Sequence, residues 1–215
     1  MVCPWCYIGK RRLERAIASF AGRAEVEVRW HAFLLNPTAP KEGINKLEYY
    51  QSKFGKERTA QIVPSMTRTF AEEGILYSIG GLTGSTVDAH RLMVLAGEQG
   101  KQDPLVNALF DSYFTKEEYI NDRKVLLAAA EKAGLQGASE CLADSSSGLA
   151  QVQASVRKSQ GIATGVPFFT INNSSGCPDH KGAEAFEEIF QLVLDQQAQS
   201  DRSSVTSKAA TGVSC

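Results

Sequence analysis

The chain has 215 residues, 43% of them hydrophobic, with a formal net charge of −1 and a pI near 6.3. Such a chain can bury a real core and suits one domain, or one domain with an insertion. Its balanced charge argues against a nucleic-acid or membrane-surface partner. No apolar run approaches the ~18 residues of a membrane span, and no export-type leader is recognisable. With five cysteines and only one close pair, the sequence predicts a soluble, cytoplasmic protein.

The first feature along the chain is a pair of cysteines three positions apart, Cys3-Pro4-Trp5-Cys6, at the head of a helical pattern. Apolar residues then recur at steps of three and four as far as Phe20, which predicts a helix with Pro4 in its first turn. Residues three apart in such a turn are close enough to form a disulfide. Because a helix start carries free N–H groups and partial positive charge, it favours a thiolate at Cys3. Cys3 is therefore the candidate nucleophile, and Cys6 is the candidate resolving thiol.

Other interpretations of this pair remain open, namely a structural disulfide, a zinc half-site and two inert thiols. Zinc needs about two further ligands, and Cys141, Cys177 and Cys215 supply no second close pair. Cys177 and His180 are three apart in a loop with glycine and proline, and Cys177 is interpreted as an adventitious thiol. No metal site is predicted.

The middle of the chain is predicted to be helical. Residues 26–33 alternate in the manner of a strand, and Pro37 and Pro40 end that pattern. Residues 45–161 then show almost only helical signals with short connections. The predicted helices cover residues 47–54, 59–70, 86–96, 104–114, 122–133 and a last stretch from 138 or 148 to 158.

The C-terminal part returns to mixed structure. Residues 165–173 predict a strand that is entered through Pro167. Residues 183–197 carry apolar side chains at helical spacing and predict an amphipathic helix. Residues 198–215 are mostly polar and predict a disordered tail.

Four segments together resemble the DsbA family of thioredoxin-like proteins, and more closely the branch named for the FrnE protein. They are Cys3-Pro4-Trp5-Cys6-Tyr7-Ile8-Gly9-Lys10, Trp30-His31-Ala32-Phe33-Leu34-Leu35-Asn36-Pro37, residues 85–92 and Gly165-Val166-Pro167.

That resemblance implies an α/β thioredoxin-like fold interrupted by an all-helical insertion domain. The thioredoxin-like domain would comprise residues 1–36 and 162–197, the insertion residues 37–161 and the tail residues 198–215. The resemblance also implies thiol-disulfide exchange or isomerisation on protein or peptide substrates. It implies no bound cofactor, and it makes glutathione a candidate redox partner.

The family pattern implies specific roles for residues around the cysteines. Cys3, Cys6 and a cis proline at Pro167 would be catalytic. A cis bond there would expose the backbone of Val166, where an extended peptide could pair by strand addition. Residues expected to contact substrate are Pro4, Trp5, Val166, Phe168 and His90.

Two further function classes share this fold. Kappa-class glutathione transferases and 2-hydroxychromene-2-carboxylate isomerases generally carry serine at the first cysteine position. A redox-inactive, chaperone-like relative is the other alternative. The presence of both Cys3 and Cys6 favours electron transfer over the first of these classes.

The sequence departs from the family pattern at two places. Residues 174–181 stand where relatives usually carry a short strand and a Gly-Gly-Gln-like turn. The family's first strand precedes the cysteines, and only Met1 and Val2 stand there. The sequence is therefore interpreted as a truncated form, in which residues 26–33 and the strand after Pro167 are not hydrogen-bonded to each other.

Overall fold

The computed structural model describes residues 1–172, 174–177 and 182–209, with side chains described up to 172 and from 182 to 199. The chain divides into two compact units, residues 1–8 with 28–166, and residues 9–27 with the chain from 167 onwards. Residues 28–36 and the cysteine pair thus cluster with the helical block, whereas the sequence analysis placed that boundary after residue 36. The reason is packing, because Ile8 is buried in the helical core and Trp30 packs against it.

The all-helical block predicted for the first unit is present. The expected last helix is two helices, separated by residues 144–148. A pair of two-residue antiparallel strands, β1 Ile44–Asn45 and β2 Leu82–Thr83, had no signal in the sequence. The helices of the block are α2 Lys46–Phe54, α3 Lys56–Glu72, α4 Val87–Glu98, α5 Gln102–Phe114, α6 Arg123–Lys132, α7 Ala138–Ala143 and α8 Leu149–Ile162.

The main core of this unit is built from apolar side chains of α3 to α7. Phe70 of α3, Leu92 of α4 and Phe110 of α5 are each no more than 1% exposed. The ring of Tyr7 lies 5.0 Å from that of Phe110, centroid to centroid. Because Tyr7 directly follows Cys6, burial of its ring in the helical core fixes the position of the cysteine pair.

Residues 26–33 do not form the predicted strand. The Trp30 N–H donates to the Gln102 Oε1 atom at 3.0 Å, and the Ala32 N–H donates to the Ser155 Oγ atom at 2.9 Å. Gln102 Nε2 in turn donates to the Trp30 carbonyl at 3.2 Å. Side chains of the helical block therefore satisfy the backbone groups that a neighbouring strand would have paired. Side chains along this stretch alternate between more and less exposed positions. This alternation resembles that of a strand, although no strand forms here.

The second unit contains most of α1 (Pro4–Ser19), together with β3 (Phe169–Ile171), β4 (Ser174–Cys177) and α9 (Glu184–Ala209). The rings of Phe169 and Phe186 lie 4.9 Å apart. A Cβ atom on Gly9 would stand 3.0 Å from the Phe169 ring, so this close approach needs a glycine.

The strand predicted after Pro167 is present as β3. It pairs antiparallel with β4, so the segment that departs from the family pattern contributes a strand over its first four residues. Residues 178–181 lie outside the described part of the chain. Within the described part the sheets are β1–β2 and β3–β4, and residues 26–33 belong to neither.

The predicted disordered tail is wrong for residues 198–209, because α9 continues to Ala209. These residues include no glycine or proline, and Ala, Gln, Lys and Arg are good helix formers. Residues 210–215 lie outside the described part. Among the described helices, α9 included, none combines the length and apolarity that crossing a membrane requires.

Candidate active site

The site begins at Cys3, which directly precedes α1 and is 6% exposed. The Cys6 N–H donates to the Cys3 carbonyl at 3.1 Å, which places the second cysteine one turn along the helix. The Cys3 thiol donates to the carbonyl of Val166 at 3.4 Å, a contact between residues 163 positions apart. Cys3, Cys6 and Cys141 are all in the reduced form. The predicted nucleophile thus lies at a helix start, against a second stretch of backbone.

The surroundings of Cys3 lower its pKa from 9.0 to about 7. The main cause is a hydrogen bond from the side chain of Cys6, and burial opposes it. The backbone N–H groups of Cys6 and Trp5 also stabilise the thiolate. At neutral pH about half of the Cys3 side chains are therefore thiolates, the reactive form in disulfide exchange.

A cleft of about 520 Å³ opens beside the cysteines in the first unit. Both cysteines line it, together with four of the residues that the sequence analysis singled out for substrate contact, Pro4, Trp5, His90 and Val166. Trp5 is 43% exposed, so its ring is available to a bound molecule. Aromatic side chains dominate the walls and include Trp5, Trp30, Phe33, Tyr49, Tyr50, Phe54, Phe110 and Tyr113.

The other two predicted site residues, Pro167 and Phe168, belong to the second unit. The Cγ atom of Pro167 lies 3.8 Å from where a Gly9 Cβ atom would stand. Phe168 is 37% exposed. The cis geometry expected at Pro167 stays a prediction.

His90 is buried at the cleft wall and is 4% exposed. Burial is the main cause that lowers its pKa to about 3, so the imidazole is neutral at physiological pH. Its Nε2 atom lies 3.3 Å from the carbonyl oxygen of Phe33. This contact indicates that His90 holds in place the part of the cleft wall formed by residues 30–36.

Arg91, which follows His90 in the family-like segment, is 2% exposed and has a purely internal role. Its guanidinium forms an ion pair with Asp88 at 2.7 Å and donates to the Ser147 carbonyl at 2.7 Å. It also donates to the carbonyls of Cys141 and Asp144. Arg91 therefore fixes the connection between α7 and α8 to α4.

The sequence analysis missed the contribution of α2 and of the start of α3 to the cleft. Tyr49, Tyr50, Lys53 and Phe54 of α2 and Arg58 of α3 all line it. The sequence did carry a signal for this contribution, because the predicted helix 47–54 contains three aromatic residues in a run of six positions. Periodicity alone does not distinguish an aromatic face in a core from one in a cleft.

Tyr50 of this wall and its neighbour Tyr77 stay un-ionised. Burial raises the pKa of Tyr50 to about 12 and raises that of Tyr77 further, and the two hydroxyls are hydrogen-bonded to each other. Lys46 lies nearby, with its Nζ atom 2.6 Å from the Tyr113 carbonyl oxygen and 4.1 Å from the ring centroid. Burial lowers the pKa of Lys46 to about 8. Among the described residues, no group of three or more His, Cys, Asp or Glu side chains is placed to hold a metal ion.

A cysteine of lowered pKa at a helix start, with a second cysteine one turn further on, is an arrangement typical of thiol-disulfide oxidoreductases. The chain belongs to the family of DSBA-like thioredoxin domains, whose model matches residues 1–191.

The chain is also similar to two individual proteins. A crystal structure of a probable DsbA oxidoreductase from Streptomyces coelicolor is similar with a TM-score of 0.81 and 34% sequence identity, over 88% of this chain and 85% of that chain. The uncharacterized protein YwbO of Bacillus subtilis is 27% identical over 205 residues, which are 88% of this chain and 91% of that protein. The fold is therefore the DsbA-like thioredoxin fold, with few strands and many helices.

Proposed function

We propose that the chain is a thiol-disulfide oxidoreductase in which Cys3 is the nucleophile and Cys6 the resolving thiol. The observation that carries the proposal is the lowered pKa of Cys3, produced mainly by the side chain of Cys6. One thiol thus activates the other, so the two cysteines act as one unit. The thiolate is the form that attacks disulfides, so the lowered pKa supports a reactive role for the pair.

The exchange runs in two steps. The Cys3 thiolate attacks one sulfur of a substrate disulfide, so a Cys3–substrate bond forms, the substrate S–S bond breaks, and the leaving thiolate takes a proton from solvent. Cys6 then loses its proton and attacks the Cys3 sulfur, which forms the Cys3–Cys6 disulfide and releases the second substrate thiolate. Two electrons pass from the dithiol to the substrate, and the reverse sequence oxidises a substrate dithiol.

Proteins or peptides are the substrates that we propose. Apolar surface beside the cysteines supports this, because Trp5 and Leu35 line the cleft and are each more than 40% exposed. The Val166 carbonyl also faces the nucleophile and offers backbone for pairing with an extended chain. Pro167 and Phe168 are proposed as site residues on the family pattern. The two thiols carry the electrons themselves, so no bound cofactor is proposed, and glutathione remains the candidate redox partner.

Variants of the two cysteines test the proposal. Wild-type protein should catalyse the reduction of insulin by dithiothreitol, and Cys3→Ser should be inactive. Cys6→Ser should accumulate mixed disulfides through Cys3, seen as reducible adducts on non-reducing gels. Cys141→Ser is the matched control, because Cys141 is a buried thiol that does not line the cleft. Equal residual activity in Cys3→Ser and Cys6→Ser would contradict the division of roles.

A further inference from the structure

Apart from the Cys3 thiolate, the charged side chains that line the cleft are of one sign. The chain carries 24 acidic residues, yet among the described residues no aspartate or glutamate lines the cleft. Its charged lining residues are Lys53 and Arg58. The lining histidines, His31 and His90, both have pKa values lowered by burial and are neutral at pH 7. Beside the Cys3 thiolate, a bound molecule therefore meets two cations that no lining aspartate or glutamate offsets.

The local fold brings these two cations to the same cleft. Lys53 lies in the last turn of α2 and Arg58 in the first turn of α3. Gly55 joins the helices with φ +83°, a conformation that favours glycine, so the chain turns sharply between the two positions. The Lys53 Nζ atom lies 5.8 Å from the Tyr49 ring centroid and 5.4 Å from that of Phe54. The ammonium is thus held over aromatic rings of the wall.

Neither cation is neutralised within the protein. Lys53 and Arg58 are exposed and form no ion pair with another residue in the described part of the chain. Exposed cations elsewhere, such as Lys116 and Lys132, are paired with Asp111. Lys53 and Arg58 are therefore available to a negatively charged ligand.

We propose that, besides protein or peptide disulfides, Cys3 accepts a small disulfide with an aromatic or apolar body and a carboxylate, bound through Lys53 and Arg58. This inference rests on the proposed exchange activity and adds to it the size and charge of the substrate. A volume of about 520 Å³ lies within the roughly 300–1,000 Å³ of small-molecule sites. The aromatic walls accept the body of such a molecule, and the two cations orient its anionic end.

The test compares artificial disulfides that differ in charge. The full-length reduced protein is mixed with 5,5′-dithiobis(2-nitrobenzoate), which is anionic and aromatic, with 4,4′-dithiodipyridine, which is neutral and aromatic, or with cystamine, which is cationic. Each protein dithiol releases two small thiols as Cys3–Cys6 forms. Each rate is corrected by subtracting the rate of Cys3→Ser and is divided by the rate of dithiothreitol with the same disulfide, so that intrinsic reactivity cancels.

We expect the normalised rate to be highest for the anionic disulfide and lowest for cystamine. The Lys53→Ala/Arg58→Ala double variant should lose about three- to tenfold in rate with the anionic disulfide, the size expected when two exposed ion pairs are removed. Its rate with the neutral disulfide should stay within about twofold, since that molecule carries no charge for the two cations. Raising the salt concentration should slow the wild-type reaction with the anionic disulfide only.

The Lys56→Ala/Arg68→Ala double variant is the matched control. It makes the same change in net charge at two exposed positions of α3 that do not line the cleft, and it should keep the wild-type preference. Equal normalised rates for the three disulfides, or equal losses in the two double variants, would overturn the inference and leave the proposed function standing. Failure of the wild-type protein to react through Cys3 with the neutral disulfide would overturn both.

Discussion

The Sγ atom of Cys3 lies 3.4 Å from the carbonyl oxygen of Val166. A thiol can donate a hydrogen bond to that oxygen, whereas a thiolate cannot. Loss of the Cys3 proton therefore frees the Val166 carbonyl at the moment when the sulfur becomes nucleophilic. A peptide N–H of a bound substrate can then take the place of the thiol proton. In the proposed mechanism, activation of the nucleophile and exposure of the Val166 carbonyl are therefore one event.

The first prediction concerns the reactivity of Cys3. Its rate of alkylation by iodoacetamide should rise with pH with a midpoint near 7, because the pKa of Cys3 is lowered to about 7. Cys6→Ala should move this midpoint upward, since the Cys6 side chain is the main cause of the lowering. Cys6→Ser, whose hydroxyl can still donate, should move it less. Mass spectrometry of the modified peptide gives the rates, and an unchanged midpoint in Cys6→Ala contradicts the prediction.

The second prediction concerns the stability of the reduced protein. The folded-state pKa of Cys3 is about 7 against 9.0 for an ordinary thiol, so the unfolded chain binds more protons between these values. The thiolate should therefore add stability as pH rises from 7 to 9, up to about 2–3 kcal/mol, and the gain should be lost as pH falls through 7. Urea unfolding of the wild type and of Cys3→Ser measures the difference. A difference that stays constant over this range would show that the thiolate is not stabilised.

A third prediction concerns His90, whose pKa is lowered to about 3 in the folded protein. Its neutral form contributes stability that is fully present above pH 6.5, the ordinary value, and falls as pH decreases towards 3. Between pH 6.5 and 4 the wild type should lose about 3 kcal/mol more than His90→Gln, which keeps a donor for the Phe33 carbonyl but does not titrate. Denaturant unfolding at both pH values measures this. If the wild type and His90→Gln lose the same free energy of unfolding, His90 is in contact with solvent in the folded protein.

The fourth prediction tests how residues 30–33 are held. Ser155→Ala should remove the acceptor of the Ala32 N–H and cost about 1–2 kcal/mol of the free energy of unfolding, because that N–H is left unsatisfied at a buried residue. Ser159→Ala on the same helix removes a hydroxyl with no partner in the described structure and should change stability by less than about 0.5 kcal/mol. Thermal unfolding of both variants measures these two changes in stability, and equal changes would contradict the prediction.

Local rules predicted much of this fold. Apolar side chains at helical spacing located the helical block, because most of its helices, α3 to α7, contribute apolar side chains to a common core. The Cys3-Pro4-Trp5-Cys6 pattern likewise predicted the helix start, since proline suits a first helical turn. Both features depend only on residues close in sequence.

The features that sequence reasoning missed depend on distant partners. Residues 26–33 have the alternation of a strand, but their backbone partners are the side chains of Gln102 and Ser155, which no local pattern announces. Lys53 and Arg58 similarly have the sequence pattern of ordinary solvent-exposed charges on two helices. That they line one cleft without an acidic neighbour follows from the turn at Gly55 and from the packing of α2 and α3.

The side-chain anchoring of the cleft wall has a consequence for the order of folding. The bonds that fix Trp30 and Ala32 join residues 72 and 123 positions apart, so they close long loops and form only after α5 and α8 are in place. The helix start that carries Cys3 depends on near neighbours and forms early. We therefore expect a partly folded chain to expose Cys3 before residues 30–33 are anchored at the cleft wall. During synthesis this interval is when the protein is most exposed to wrong disulfide partners.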